Sequence, residues 1–327
     1  MRILFLTIFL SVLIVFGIAN SIDALTISPP LYELSGERGD VLLQKIRVLN
    51  ETGRDQTYYT SMANFRAKGE GGEPNWISEP EGLASWLQIE SGPINLKSGE
   101  EREITFSVNI PEKGDPGGHY AAIFFGSQPP ESVTGGAAVG IGAKLGSLIV
   151  LRVAGDIRET GILKEFSINK KLFNYLPADF IIRFENTGNV HFKPKGTIDI
   201  ENTIGIVSAE VSVNDIGGNV LPQSVRKFES SWKKEGVITP EGNFFQKFWT
   251  NLKNEKNNFA LGRYTANLNV KYGQDSKKFQ AKIAFWVFPW RLMLSAIIIL
   301  AILFFGVRKG VRTYNKWIIR RSRNHES

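Results

Sequence analysis

His119, His191 and His325 are the only imidazoles in this 327-residue chain, and it has no cysteine. A Ser-His-acid arrangement would need His119 or His191 as its base. A transition-metal centre would need imidazoles or thiolates in greater number, and thiolate ligation is excluded outright. His119 lies in a Gly-x-Tyr segment that reads as a strand, and His191 follows a turn at Asn186. Both are expected to be structural. Gly140, Gly142 and Gly146 superficially resemble a nucleotide loop, but their spacing is off by one and no strand-loop-helix context surrounds them, so a flexible loop is expected. Glu100, Glu101 and Glu103 cluster at a turn and along one face of a strand, the pattern of a solvated face. Asn50-Glu51-Thr52 matches a glycosylation acceptor. No nucleophile, base and orienting group converge, so the chain is read as a non-enzymatic protein with no catalytic residue, no cofactor and no metal site. Its ligand-binding residues are not named by the sequence.

The elements that would carry such residues are strands. Ile104, Phe106, Val108 and Ile110 alternate with Thr105, Ser107 and Asn109, and strict alternation marks a strand with one face buried. The same period recurs in Phe180, Ile182 and Phe184, in Tyr264 to Tyr272, and in Phe279 to Phe285. Short strands between Gly, Pro, Asn and Ser clusters predict an all-β fold built as β-sandwich.

The pattern also repeats. A strand ends at Asn50-Glu51-Thr52-Gly53 and Gly118-His119-Tyr120 comes later; a second ends at Asn186-Thr187-Gly188-Asn189 and Gly262-Arg263-Tyr264 follows. Asn and Gly after a strand supply turn conformations with positive φ, and the tyrosine is expected at a sandwich corner. Leu96-Lys97-Ser98-Gly99 and Leu221-Pro222-Gln223-Ser224 are corresponding turns into the next strand. Two tandem immunoglobulin-like β-sandwiches are therefore predicted, over 25–157 and 158–287. Two stretches depart from a minimal sandwich. Gly126 to Gly146 is expected to form a long mobile hairpin loop. Phe244, Phe245, Phe248, Trp249 and Leu252 make one helical stripe behind an Asn243 cap, read first as a helix covering the second sandwich and otherwise as a surface for a partner protein or the membrane.

The two ends set the expected topology. Arg2, an apolar run from Ile3 to Ile18, and small residues at Ala19, Ser21 and Ala24 lay out a signal peptide over 1–24, with cleavage after Ser21 or, preferably, Ala24; an uncleaved anchor is the alternative. Phe288 to Val307 is long and apolar enough for one transmembrane helix, with a core helix as the competing reading. Pro289 suits its first turn. Trp286 and Trp290 suit the outer interface, Arg291 is expected to reach toward water, and Arg308, Lys309 and Arg312 are expected to anchor the inner interface. The tail over 308–327 holds seven basic residues against Glu326, six of the chain's seven net positive charges. By the positive-inside rule the C-terminus is cytoplasmic and the ectodomain extracytoplasmic in a single-pass cell-membrane protein. Tyr314, Trp317 and Ile318 lie among the tail's basic residues at helical spacing, as in a segment lying on anionic lipid, although a simple stop-transfer anchor explains them as well. The exported part balances 30 basic against 30 acidic residues, so nucleic acid is not an expected partner.

Leu25-Thr26-Ile27-Ser28-Pro29, the Asn50 turn, the Ile104 strand closing on Pro111 and Gly117-Gly118-His119-Tyr120 together resemble the peptidoglycan-binding domain of the WxL-interacting protein family. The plan is similar too: a leader, two immunoglobulin-like units, one transmembrane helix and a basic tail. The resemblance implies a bacterial cell-surface protein that contacts wall polymer such as peptidoglycan with its first domain and surface proteins with its second. The second unit matches the family loosely, and no family binding residue falls on a matching position. The function expected is binding of cell-wall polymer or a surface protein, through sheet edges and loops. The alternative is a structural or assembly component of a larger membrane protein complex.

Overall fold

The computed structural model describes residues 24–77, 81–129 and 144–323, with side chains through 317. Residues 1–23 of the expected leader, Gly140, Gly142, His325 and Glu326 lie outside the described residues.

Two compact units are present. Of the described residues, the first comprises those up to Thr160 together with Asn186–His191 and Leu221–Ser224; the second comprises Gly161–Glu185, Phe192–Val220 and those from Val225 on. Each is a β-sandwich with its own apolar core.

In the first unit, one sheet has the order β1-β3-β8-β6, from β1 (Leu25–Ser28), β3 (Val41–Asn50), β8 (Glu101–Asn109) and β6 (Leu87–Ile89). The facing sheet has the order β2-β10-β9-β4-β5, from β2 (Leu31–Gly36), β10 (Lys144–Val153), β9 (Gly117–Gly126), β4 (Gln56–Lys68) and β5 (Glu73–Ile77), with β7 (Pro93–Leu96) also on β4. A one-turn helix, α1 (Leu83–Trp86), lies between β5 and β6. The alternation at Ile104, Phe106, Val108 and Ile110 is realised in full, all four being buried. β1 and β2 are one strand broken between the sheets at Pro29-Pro30, where two residues without N–H cannot continue a ladder; β2 runs parallel to β10. Ser147 Oγ donates to the Pro29 carbonyl at 2.6 Å across the break. β9 and β10 pair antiparallel from Gly126↔Lys144 to Gly117↔Val153, so Gly146 belongs to a strand rather than to the expected loop. Its Cβ would meet Phe124 at 2.6 Å. Of that loop, residues 130–143 lie outside the described residues.

The second unit repeats the plan. β11 (Gly161–Ile168), β13 (Ala178–Asn186) and β16 (Ser224–Trp232) form one sheet in that order. The other has the order β12-β18-β17-β14-β15, from β12 (Leu172–Phe173), β18 (Lys277–Val287), β17 (Gly262–Tyr272), β14 (Lys195–Glu201) and β15 (Val207–Val213). Again the first strand is split, and its second part, β12, runs parallel to the last strand β18. Phe180, Ile182, Phe184 and Phe285 fill the core, with stacked and edge-to-face rings such as Phe184–Phe279 at 4.8 Å.

The repeated Asn turns work through buried side chains. Asn50 Nδ2 donates to the carbonyls of Arg54, Leu96 and Lys97 at 2.8–3.1 Å, and its Oδ1 accepts from the Thr52 N–H. Asn186 does likewise, donating to the Val190 carbonyl at 2.8 Å and accepting from the Gly188 N–H at 2.9 Å. Both are fully buried, so the glycosylation acceptor at Asn50 has no exposed amide to offer. Gly53 has the expected positive φ of 73°. Gly188 does not need one; its constraint is close approach, since a Cβ there would stand 2.0 Å from the Arg158 carbonyl oxygen.

The helical stripe forms α2 (Phe244–Asn257), and the C-terminal apolar segment forms α3 (Trp290–Arg323), a single helix running from the apolar segment into the basic tail.

Candidate functional site

Asn243 caps α2 through a reciprocal pair, its Oδ1 accepting from the Gln246 N–H at 3.0 Å while Gln246 Oε1 accepts from the Asn243 N–H at 2.9 Å. The helix then departs from its expected placement. Phe244, Phe245 and Trp249 are 77%, 71% and 64% exposed, so the aromatic stripe does not cover the second sandwich. What seats the helix is polar. Asn254 accepts from the Ile238 N–H at 3.1 Å and donates to its carbonyl at 2.8 Å, and Tyr175 Oη donates to Asn251 at 3.3 Å.

The firmest link runs from α2 to α3. Glu255 is fully buried, and its carboxylate accepts from Arg291 Nη1 at 3.0 Å and from the Leu292 N–H at 2.8 Å. The first N–H groups of a helix have no partner within it and carry a partial positive charge. Glu255 therefore caps α3 from another element and neutralises Arg291 in the same contact. Arg291 also lies over the Trp290 ring, 4.5 Å from its centre. Its side chain is only 19% exposed, so the expected reach toward water is replaced by a buried ion pair. Pro289 precedes the helix, its carbonyl accepting from the Met293 N–H at 3.1 Å.

Trp286, on the outer side of β18, and Trp290 are 53% and 40% exposed. Arg308, Lys309 and Arg312 are exposed on the same continuous helix as Trp290. Eighteen residues separate Trp290 from Arg308, about 27 Å at 1.5 Å per residue, close to the ~30 Å of a bilayer's hydrocarbon core. Among the described residues α3 is the one helix long and apolar enough to cross a membrane, and none of its apolar window is buried. Glu255 escaped sequence reasoning, although it is the only acid in α2.

A second feature lies within the first unit, a cleft of about 710 Å³ whose lining includes Phe65, Arg66, His119, Tyr120, Arg158 and Asn189. His119 lines it, and His191 packs against the Tyr120 ring, 5.6 Å between ring centres. The His119 ring lies 4.5 Å from Trp86 and its Nε2 is 2.8 Å from the Asp115 carbonyl. Tyr120 Oη meets the His191 N–H at 3.0 Å and His191 Nδ1 at 3.2 Å. Burial pushes the Tyr120 phenol up, so it stays protonated. Tyr264, its counterpart, instead turns its hydroxyl to Leu261 at 3.3 Å, so only one of the paired tyrosines makes the local corner bond. Among the described residues no group of three or more His, Cys, Asp or Glu side chains is placed to hold a metal.

No family model and no curated protein matches the chain. Among solved structures it is similar to the class 5 fimbriae chaperone CfaA, at 16% identity and a TM-score of 0.37 over 81% of this chain and 100% of that one. It is also similar to the E. coli chaperone DraB, at 11% identity and a TM-score of 0.34 over 80% and 98%. A PapD-like domain of human CEP192 matches at 12% identity and a TM-score of 0.28 over 40% and 86%. At these scores the likenesses add nothing to the strand order and registers described above.

Proposed function

We propose that the chain is a single-pass, membrane-anchored envelope protein without catalytic activity. It holds two immunoglobulin-like units on the extracytoplasmic side and binds wall polymer through the first or a surface protein through the second. The observation that carries the anchoring is α3. Its apolar side chains from Leu294 to Val307 stand exposed, and each large one left in water forgoes about 1.5–3 kcal/mol. A bilayer removes that penalty, and the basic residues beyond Val307 support a cytoplasmic end by the positive-inside rule. The binding part rests on the resemblance to WxL-interacting proteins together with the first unit's cleft, whose arginines and aromatic rings suit a polar, ring-containing polymer. His119 and His191 are held by neighbouring groups in a way that fits structural roles.

Full-length protein in detergent, incubated with purified cell-wall sacculi and sedimented, tests the reading. Retention that falls several-fold in an Arg66→Ala, Arg158→Ala variant is expected. Equal recovery with and without sacculi would refute wall binding. A second reading, an assembly component of a membrane complex, is favoured by the exposed aromatics of α2. It predicts that solubilised membrane proteins, and not sacculi, co-purify with the chain.

A further inference from the structure

Several of the second unit's exposed apolar side chains gather at one end. β17 and β18 pair so that Gly262 faces Val287, three residues before α3 begins. β14 ends opposite the start of β17, with Glu201 facing Thr265, and Thr203 Oγ1 donates to the Arg263 carbonyl at 3.1 Å. The turn between β14 and β15, carrying Ile204 at 77% and Ile206 at 58% exposure, therefore stands at the sheet end from which α3 leaves. Leu172, paired with Trp286, is exposed there as well. α2 joins this end through Glu255.

Between α2 and α3 runs an apolar groove of about 370 Å³, whose lining includes Trp249, Leu252, Lys253, Leu292, Ala296 and Ile299. Ile299 lies nine residues beyond Trp290, about 13 Å along the helix. A helix that shares a groove with Leu292 to Ile299 occupies the depth of the outer leaflet whenever α3 spans the bilayer. On α2, Phe245, Trp249 and Lys253 follow one another at four-residue steps, with Leu252 and Lys256 alongside. Rings and long basic side chains on one helical face match the boundary between acyl chains and phosphate groups.

We infer that this end of the second unit is a lipid-docking platform, in which α2 lies in the outer leaflet at the boundary between acyl chains and headgroups and the Ile204–Ile206 turn touches the same surface. This rests on the anchoring reading above. The partner is the bilayer in which α3 sits, recognised through aromatic rings and lysines against lipid phosphate. The Glu255–Arg291 contact ties the interfacial helix to the spanning one.

The absence of cysteine makes the test direct. Single-cysteine variants Trp249→Cys, Ile204→Cys, Ile216→Cys and Ile302→Cys of the full chain are labelled with a fluorophore and reconstituted in vesicles of phosphatidylcholine and phosphatidylglycerol containing headgroup- or acyl-spin-labelled lipid. Ile216 is 90% exposed in the connection that follows β15, at the opposite sheet end from Ile204. Label 302 is expected to be quenched by acyl spin labels, labels 249 and 204 by headgroup spin labels at least threefold more than label 216, and label 216 little. If label 302 is quenched while 249 and 204 match 216, α3 spans but the platform does not dock, and the inference falls alone. If label 249 is in an apolar setting yet untouched by lipid quenchers, a protein covers the face, which also overturns it. If label 302 escapes quenching, the anchoring reading falls and takes this one with it.

Discussion

The two units share one strand plan and differ in what lies outside it. Each splits its first strand across two sheets, runs the second part parallel to the last strand, and knots the following turn with a buried asparagine. The first unit places its additional elements, β5 through β7 with α1, between β4 and β8, where Leu83, Leu87, Ile94 and Leu96 are buried in its core. The second unit places α2 between β16 and β17 and keeps the aromatic side of that helix out of its core. Equal topology therefore does not imply equal surfaces. One insertion enlarges a core, and the other is docked by hydrogen bonds and a buried charge so that its apolar side faces away.

The largest effects should fall on what the units share. Phe106→Ala in the first core and Phe184→Ala in the second each delete a fully buried ring and should cost about 3–5 kcal/mol. Denaturant unfolding of the full chain, followed by circular dichroism, measures both. A cost below about 1 kcal/mol for either would break the equivalence of the two cores.

The contrast between the insertions is sharpened at Glu255. Glu255→Ala leaves Arg291 without its carboxylate and the start of α3 uncapped, a loss of about 3 kcal/mol by analogy with other broken buried pairs. Because the partners tie α2 to α3 rather than to the sandwich core, amide exchange should accelerate over 244–257 while the strands stay protected. In the first unit, Leu87→Ala should instead loosen the sheets around it. Uniform exchange changes in both variants would erase the distinction.

The asparagine knots come next. Asn50→Ala and Asn186→Ala each strand several buried carbonyl and N–H groups, and about 2–3 kcal/mol is expected for each, read as a lowered midpoint of thermal unfolding. Asp at either position should fare no better, since it cannot donate to the carbonyls of Leu96 and Lys97, or of Val190.

Much of the shared plan could be read from residue order. Alternating apolar positions gave the strands, and Asn50 and Asn186 marked equivalent turns because a short amide can satisfy a turn's backbone groups by itself. The split first strands were not legible: nothing local tells which sheet a two-residue strand such as Leu172–Phe173 will join. The stripe on α2 was visible as a periodicity, but periodicity tells which side is apolar and not which side faces the core. Orientation was decided by Asn254 and Glu255, whose partners Ile238 and Arg291 lie 16 and 36 residues away. Arg291 was misread for the same reason, since a lone arginine beside a membrane span gives no sign of a distant carboxylate.

The smallest differences concern exposed carboxylates, and they test whether charge distinguishes the units at all. In the first, Glu103 is held below the usual carboxylate range by its hydrogen bond to Lys45 and the charge of that lysine. In the second, Glu165 is lowered by hydrogen bonds from Ser167 and then Arg183. A carboxyl whose folded pKa is depressed contributes stability that is present above its unfolded pKa, near 4.3, and disappears as pH falls through the lower folded value. Both contributions should therefore be intact at neutral pH and fade only in acid. Glu103 and Lys45 are more than half exposed, whereas Glu165 and Arg183 are about one-third exposed. Water and salt screen the first pair more strongly. Glu165→Gln should thus lower the neutral-pH midpoint measurably and Glu103→Gln by an amount near experimental scatter, with both differences closing as pH falls through the depressed folded pKa values. Added salt should shrink the Glu165 effect only partly. If Glu103→Gln proved the more damaging, exposure would not be what sets the strength of these pairs.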